Sequence, residues 1–92
     1  MHVVVQHRIT DPESFLSHSP EDVAQNAPPG VYGRQFLVSQ DKTAAVCLWE
    51  AGSVDDLQTY MDGLTGEASE NTYFEVNEEY AIGLPEETGS SA

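Results

Sequence analysis

The run Thr43-Ala44-Ala45-Val46-Cys47-Leu48-Trp49-Glu50 is the feature that most constrains the fold. Its small apolar, β-branched and aromatic residues read as a strand over 43–50. Successive side chains of a strand point to opposite faces. Ala45, Cys47 and Trp49 therefore share one face, and Ala44, Val46 and Leu48 share the other. Both sets are apolar, so a sheet built around this strand is expected to be covered on both sides. Helices of the chain can cover one side only. A second subunit's sheet is the simplest cover for the other.

The rest of the chain supplies the partners of that strand. Residues 2–9, His-Val-Val-Val-Gln-His-Arg-Ile, read as a first strand. Asp11-Pro12 opens a helical segment over 12–27, with Asp11 as cap, Pro12 at the first helical position and a break or kink near Pro20. Pro28-Pro29-Gly30 ends it. Residues 31–39 read as a second strand, joined to the third by the turn Gln40-Asp41-Lys42. Ser53 caps a second helix, whose buried stripe is Val54, Leu57, Tyr60, Met61 and Leu64, with Gly66 as its stop. Residues 72–82 are expected to be the fourth strand. The order β-α-β-β-α-β is the ferredoxin-like split βαβ motif. The fold class is thus α+β, with an antiparallel four-stranded sheet in order 4-1-3-2 and two helices on one face. The expected domain is 1–84, followed by a disordered tail, 85–92.

Charge narrows the function. Of 92 residues, three are Lys or Arg and sixteen are Asp or Glu, a formal net charge of −13. Arg8, Arg34 and Lys42 all precede residue 47, and residues 47–92 hold eleven acids and no Lys or Arg. Phosphate backbones are bound by Lys and Arg, so no nucleic acid is expected as a partner. No membrane is expected either, on the charge and on the lack of a long apolar run. Adaptation to a salty cytoplasm is one reading of the acidity, since a dense carboxylate surface repels itself less when screened; a basic partner is another. The single cysteine and the lack of a signal-peptide pattern at Met1-His2-Val3 suggest a cytoplasmic, reducing setting.

In element order and length, residues 1–82 resemble the dimeric α/β-barrel superfamily, in which two ferredoxin-like sheets pack face to face. That resemblance implies a homodimer through the sheet face. It implies no single function, because the superfamily includes cofactor-free monooxygenases acting on aromatic polyketides, haem-degrading enzymes and muconolactone-isomerase-type enzymes. A closer similarity is carried by Val46-Cys47-Leu48-Trp49-Glu50-Ala51, followed by a capped helix and then Tyr73-Phe74-Glu75-Val76. Small bacterial proteins of this fold have a Cys-Leu-x-Glu-Ala strand before the second helix, and some of them bind nickel. Their first strand tends to end in histidine, where this chain has His7. Their paired His-His is not present, because position 8 is Arg.

The resemblance implies nickel or another transition metal; His7 and Cys47, an imidazole and a thiolate suited to such metals, and Glu50, an acid able to act as base or ligand, are the candidate ligands. Geometry qualifies the set. An antiparallel pairing of strands one and three sets His7 beside Ala44 or Ala45 and Glu50 beside His2. An offset of two residues is about 7 Å along a strand. Joint ligation by His7 and Cys47 then needs a register shift or ligands from elsewhere. Candidate pocket residues are His7, Tyr32, Arg34, Trp49 and Tyr73, an aromatic population with one cation able to hold a carboxylate or phenolate. Each has a plainer role: Cys47 as a small core residue, His7 as a core-edge histidine, Arg34 in a salt bridge, Trp49 in packing and Glu50 as a solvated strand acid. Three functions remain open at this point. One is a dimeric barrel protein binding a small ligand or a transition metal. Another is a cofactor-free monooxygenase or isomerase-like enzyme acting on a small aromatic substrate. The third is an interaction module without a ligand.

Overall fold

Eight residues rich in β-branched side chains, His2–Ile9, form β1, a central strand of the computed structural model, which describes residues 1–85. Tyr32–Val38 form β2, Ala44–Glu50 form β3 and Ser69–Glu75 form β4. All pairings are antiparallel and the order is β2-β3-β1-β4. The fold is α+β. Among the described residues no helix is long and apolar enough to cross a membrane.

The segment expected as one kinked helix over 12–27 is instead two short helices, α1 (Pro12–Phe15) and α2 (Pro20–Gln25). Asp11 caps α1 by accepting the amide of Ser14 at 3.2 Å. The helix stops after one turn, where both the amide and the hydroxyl of Ser17 donate to the Ser14 carbonyl. Pro20 holds the preceding Ser19 in an extended conformation (ψ 129°), which no helix can run through. Gly30, at φ +86°, then turns the chain into β2 with a conformation that favours glycine.

Helix α3 (Val54–Thr65) starts at the expected cap, with the Ser53 hydroxyl accepting the Asp56 amide at 3.1 Å, but of the expected stripe only Leu57 and Met61 are buried, while Val54, Tyr60 and Leu64 are half-buried. Its buried side chains are Leu57, Met61 and Thr65, a strict four-residue spacing. Leu57 and Met61 pack on Val3, Val5, Cys47 and Trp49, while Phe15 of α1 packs with Ile9, Ala45 and Ala68. One face of the sheet thus meets the helices. A bulge between Gly33 and Gln35 shifts the register of β2 on β3. A Cβ on Gly33 would lie 3.1 Å from Ala24 Cβ and 3.3 Å from the Trp49 ring, so glycine permits the close approach of α2.

The fourth strand departs from expectation at both ends. It begins at Ser69 rather than 72 and ends at Glu75 rather than 82. Its last ladder bond is from the Val76 amide to the His2 carbonyl, at the very start of β1. Beyond that point β1 offers no partner. Asn77 caps a single turn of 3-10 helix, Glu78–Tyr80, by accepting the Glu79 amide. The expected tail lies, from residue 86 onward, outside the described residues.

The far face of the sheet carries Leu48, Val4 and Phe74 in register across three strands, with Leu37 opposite Val46 beside them. Within one chain this face is covered only in part. Leu48 is 7% exposed, but Val46, Phe74 and Leu37 are 39%, 48% and 64% exposed. The two-faced apolarity of β3 therefore describes a surface that a single chain leaves partly open.

Candidate functional site

The pairing of β1 with β3 has the expected register: His7 is opposite Ala45, and His2 is opposite Glu50. Cys47 is opposite Val5, so His7 and Cys47 are diagonal neighbours on the face that meets the helices. Such diagonals lie within reach of long side chains. The imidazole closes the gap without any register shift, and His7 Nε2 stands 3.1 Å from Cys47 Sγ in a buried contact.

Asn71 completes the arrangement from the other side. It is directly opposite His7 on β4, with its Oδ1 2.7 Å from His7 Nδ1. Its amide nitrogen donates to Asp62 Oδ1 at 3.1 Å and to Thr65 Oγ1 at 2.9 Å. The oxygen therefore faces the imidazole and must accept from it, along with the Ser69 hydroxyl at 2.7 Å. It follows that Nδ1 carries the ring proton and Nε2 presents its lone pair, to which the Cys47 thiol donates. Tyr73 donates to the same Asp62 oxygen at 2.6 Å. The result is a continuous chain from thiol to imidazole to amide to carboxylate.

Burial keeps the thiol and imidazole neutral. It lowers His7 below its ordinary value of 6.5, against the opposing pull of the Asn71 bond and the Asp62 charge. Burial also pushes the Cys47 thiol up to about 12. At Asp62 burial works against the carboxylate, but hydrogen bonds from Tyr73, Asn71 and Gln58 outweigh it and hold the carboxyl below its usual range. Tyr73 is raised, first by burial and then by its bond to Asp62.

The thiol–imidazole pair borders a cavity of about 230 Å³ between the sheet and the helices. Trp49, Phe36, Met61 and Thr65 line its inner part, with Phe15, Val23 and Ala24 toward the short helices. The Phe15 ring meets the His7 ring edge-on, with centroids 5.0 Å apart. Tyr60 packs edge-on against Trp49 and donates to the Val23 carbonyl at 2.6 Å, tying α3 to α2 above the cavity. Exposed His18, Pro20 and Glu21 also line it, so its mouth lies at the start of α2. The volume equals about eight waters at ~30 Å³ each and is below the ~300–1,000 Å³ of drug-sized sites.

Of the residues singled out from sequence, His7, Arg34, Cys47 and Trp49 line this one cavity. Tyr73 stands behind it, bonded to Asp62. Tyr32 and Glu50 are opposite each other on the other face of the sheet, where Glu50 is 4% exposed rather than solvated. His2 is buried on that face too, with Nδ1 3.3 Å from a Glu78 carboxylate oxygen but poorly aligned for a hydrogen bond. Glu50 cannot join His7 and Cys47 on one ion from there. Among the described residues no three His, Cys, Asp or Glu side chains are grouped to hold a metal. The residues present do not fit a three-ligand nickel site.

Asn71 and Thr65 were not legible as site residues. Asn71 fell in the loop before a strand expected at 72; a strand begun at Ser69 would have set it opposite His7. Comparison of the chain with protein-family models, with curated proteins and with solved structures finds no match.

Proposed function

We propose that this chain is a ferredoxin-like protein of the dimeric α/β-barrel type that binds a small, mostly apolar ligand between its sheet and its helices, against a hydrogen-bonded thiol–imidazole pair. The observation that carries the reading is the 230 Å³ cavity bordered by Cys47 and His7, with Asn71 orienting the imidazole. Ligand sites are concave and apolar, with a few oriented polar groups. The strand order supports the fold part, since β2-β3-β1-β4 is 4-1-3-2 counted from the opposite edge. The half-open apolar row of Leu37, Val46, Val4 and Phe74 supports the dimer.

NMR titration with a set of fragments of six to ten non-hydrogen atoms (a range set as about the size this cavity admits) tests the reading. Shifts are expected to cluster on Phe15, Phe36, Cys47, Trp49 and Met61. A set that moves none of them would leave an interaction module without a ligand as the better account.

An isomerase-like or cofactor-free oxygenase function on a small aromatic substrate is favoured by one observation. Neutral His7 has a fixed tautomer, and its acceptor nitrogen, which holds the Cys47 thiol hydrogen, borders the cavity and would serve as a general base once a substrate proton replaced that hydrogen. Conversion of any bound fragment over time, in air and under nitrogen, would favour that reading.

A further inference from the structure

Three features bear on further chemistry: the thiol of Cys47, the far-face contact of His2 with Glu78, and the open apolar sheet face. The thiol carries an inference furthest. A buried cysteine packed only among apolar side chains is inert. Burial holds the Cys47 thiol neutral at rest, pushed up to about 12, so any attack must draw on a base at that moment; two features supply the setting for it. Cys47 borders a cavity, and its hydrogen is held by a base whose orientation is fixed by a third residue. A nucleophile, a base within hydrogen-bond reach and an orienting group are the arrangement by which proteins activate a thiol.

We propose that Cys47 is a covalent capture site for small α,β-unsaturated carbonyl compounds, with His7 as its base and Asn71 as the positioning residue. The proposal rests on the ligand reading of the cavity. Conjugate addition is a step this pair completes without a further reactant. As Cys47 Sγ bonds the β-carbon, its proton passes to His7 Nε2. The π electrons of the double bond move toward the carbonyl and leave an enolate. The imidazolium then returns the same proton to the α-carbon. One S–C bond and one C–H bond replace one S–H bond and one π bond. Nothing is oxidised or reduced, and His7 ends neutral with Nδ1 still donating to Asn71.

Cavity and chemistry agree on the substrate class. A soft thiolate, formed only in the moment of attack, suits a soft carbon electrophile. The lining of Phe15, Phe36, Trp49 and Met61 suits a hydrocarbon ring or short chain. The small volume excludes bulky electrophiles. The exposed mouth at His18, Pro20 and Glu21 provides entry.

The test uses 2-cyclohexenone as probe and cyclohexanone as its saturated counterpart, on the full chain. Intact-mass spectrometry is expected to show one added enone per chain, none on Cys47→Ser, and a rate above that of N-acetylcysteine at the same pH. His7→Gln is expected to slow adduct formation by about 10²-fold, the usual worth of a positioned base. Asn71→Ala is expected to slow it by less and to shift its pH profile, which a purely structural loss would not do. No adduct on the native chain, or a native rate at or below that of N-acetylcysteine, overturns the proposal without recourse to any variant. Equal rates for native and a folded His7→Gln overturn the role of His7. NMR shifts from cyclohexanone separate the two readings: if it binds at the cavity while the enone forms no adduct, only covalent capture falls; if neither engages, the ligand reading falls with it.

Discussion

His7 and Asn71 stand opposite each other on neighbouring strands, and the 2.7 Å contact between Nδ1 and Oδ1 dictates which imidazole nitrogen faces Cys47. Removing the amide should release that choice. Asn71→Ala is expected to leave His7 as a mixture of tautomers, read from its ring nitrogen shifts. It should also cost about 1–3 kcal/mol in urea unfolding, the usual cost of a buried donor left without its acceptor. Unchanged nitrogen shifts would mean that the protein around the ring, and not Asn71, sets the tautomer.

Stability should fall on both sides of neutrality. His7 titrates lower in the folded chain than its unfolded value of 6.5, so the unfolded state takes up the proton first. Its contribution is full above 6.5 and is lost as pH falls below that value. Cys47 has the opposite sign. Its folded value is raised from 9.0 to about 12, so its contribution is full below 9 and is lost as pH rises toward 12. Denaturant melts across this range, repeated on His7→Gln and Cys47→Ser, should show the acid slope reduced in the first and the alkaline slope reduced in the second. Identical profiles in all three would place the titrating groups elsewhere.

The open sheet face should make a dimer. Sedimentation in high salt is expected to give about twice the chain mass of 10.0 kDa. Phe74→Asp, at a residue 48% exposed, should yield a folded monomer. Leu48→Asp, at a residue 7% exposed, should instead unfold the chain or cost several kcal/mol, because it buries an unpaired charge. A native monomer would remove the argument for a barrel.

Glycine at position 33 should govern the height of α2 above the sheet. The added methyl of Gly33→Ala would meet Ala24 Cβ at 3.1 Å and the Trp49 ring at 3.3 Å. The expected cost is about 1–3 kcal/mol from overpacking, with a changed Trp49 emission as α2 is pushed outward. An unperturbed spectrum and stability would show that the short helix yields freely.

Salt should stabilise the fold. With eleven acids and no Lys or Arg over residues 47–92, self-repulsion weighs on the compact state at low ionic strength. The Tm is expected to rise steeply from dilute buffer to 1 M potassium chloride, where the Debye length is about 3 Å. A continued rise at multi-molar salt is the outcome expected of a chain adapted to a salty cytoplasm. A flat profile would show that the acids are spread widely enough to be harmless.

Local chemistry made much of this architecture legible from sequence. Caps at Asp11 and Ser53, valines in β1, and prolines at 12 and 20 act within a few residues of themselves, so their effects are written where they stand. The pairing of His7 with Ala45 and of His2 with Glu50 was likewise readable, because antiparallel strands of similar length have few registers that bury the right face. The split of the first helical segment was half visible: Pro20 marked the break, but the early stop after Phe15 depends on Ser17 turning back on Ser14.

What only the tertiary structure decided is the site. Where β4 begins and ends depends on how far β1 runs beside it, a contact between residues sixty or more positions apart. That single fact turns Asn71 from a loop residue into the partner of His7. The contact of His7 with Cys47 depends on the reach of an imidazole across a diagonal, and the cavity depends on two short helices standing over the sheet at a distance that Gly33 and Trp49 set. Sequence alone determined the order of strands and helices and the ends that local caps and prolines mark, because those choices are local. It could not determine which side chains meet, because that is settled by long-range pairing and by the packing of layers.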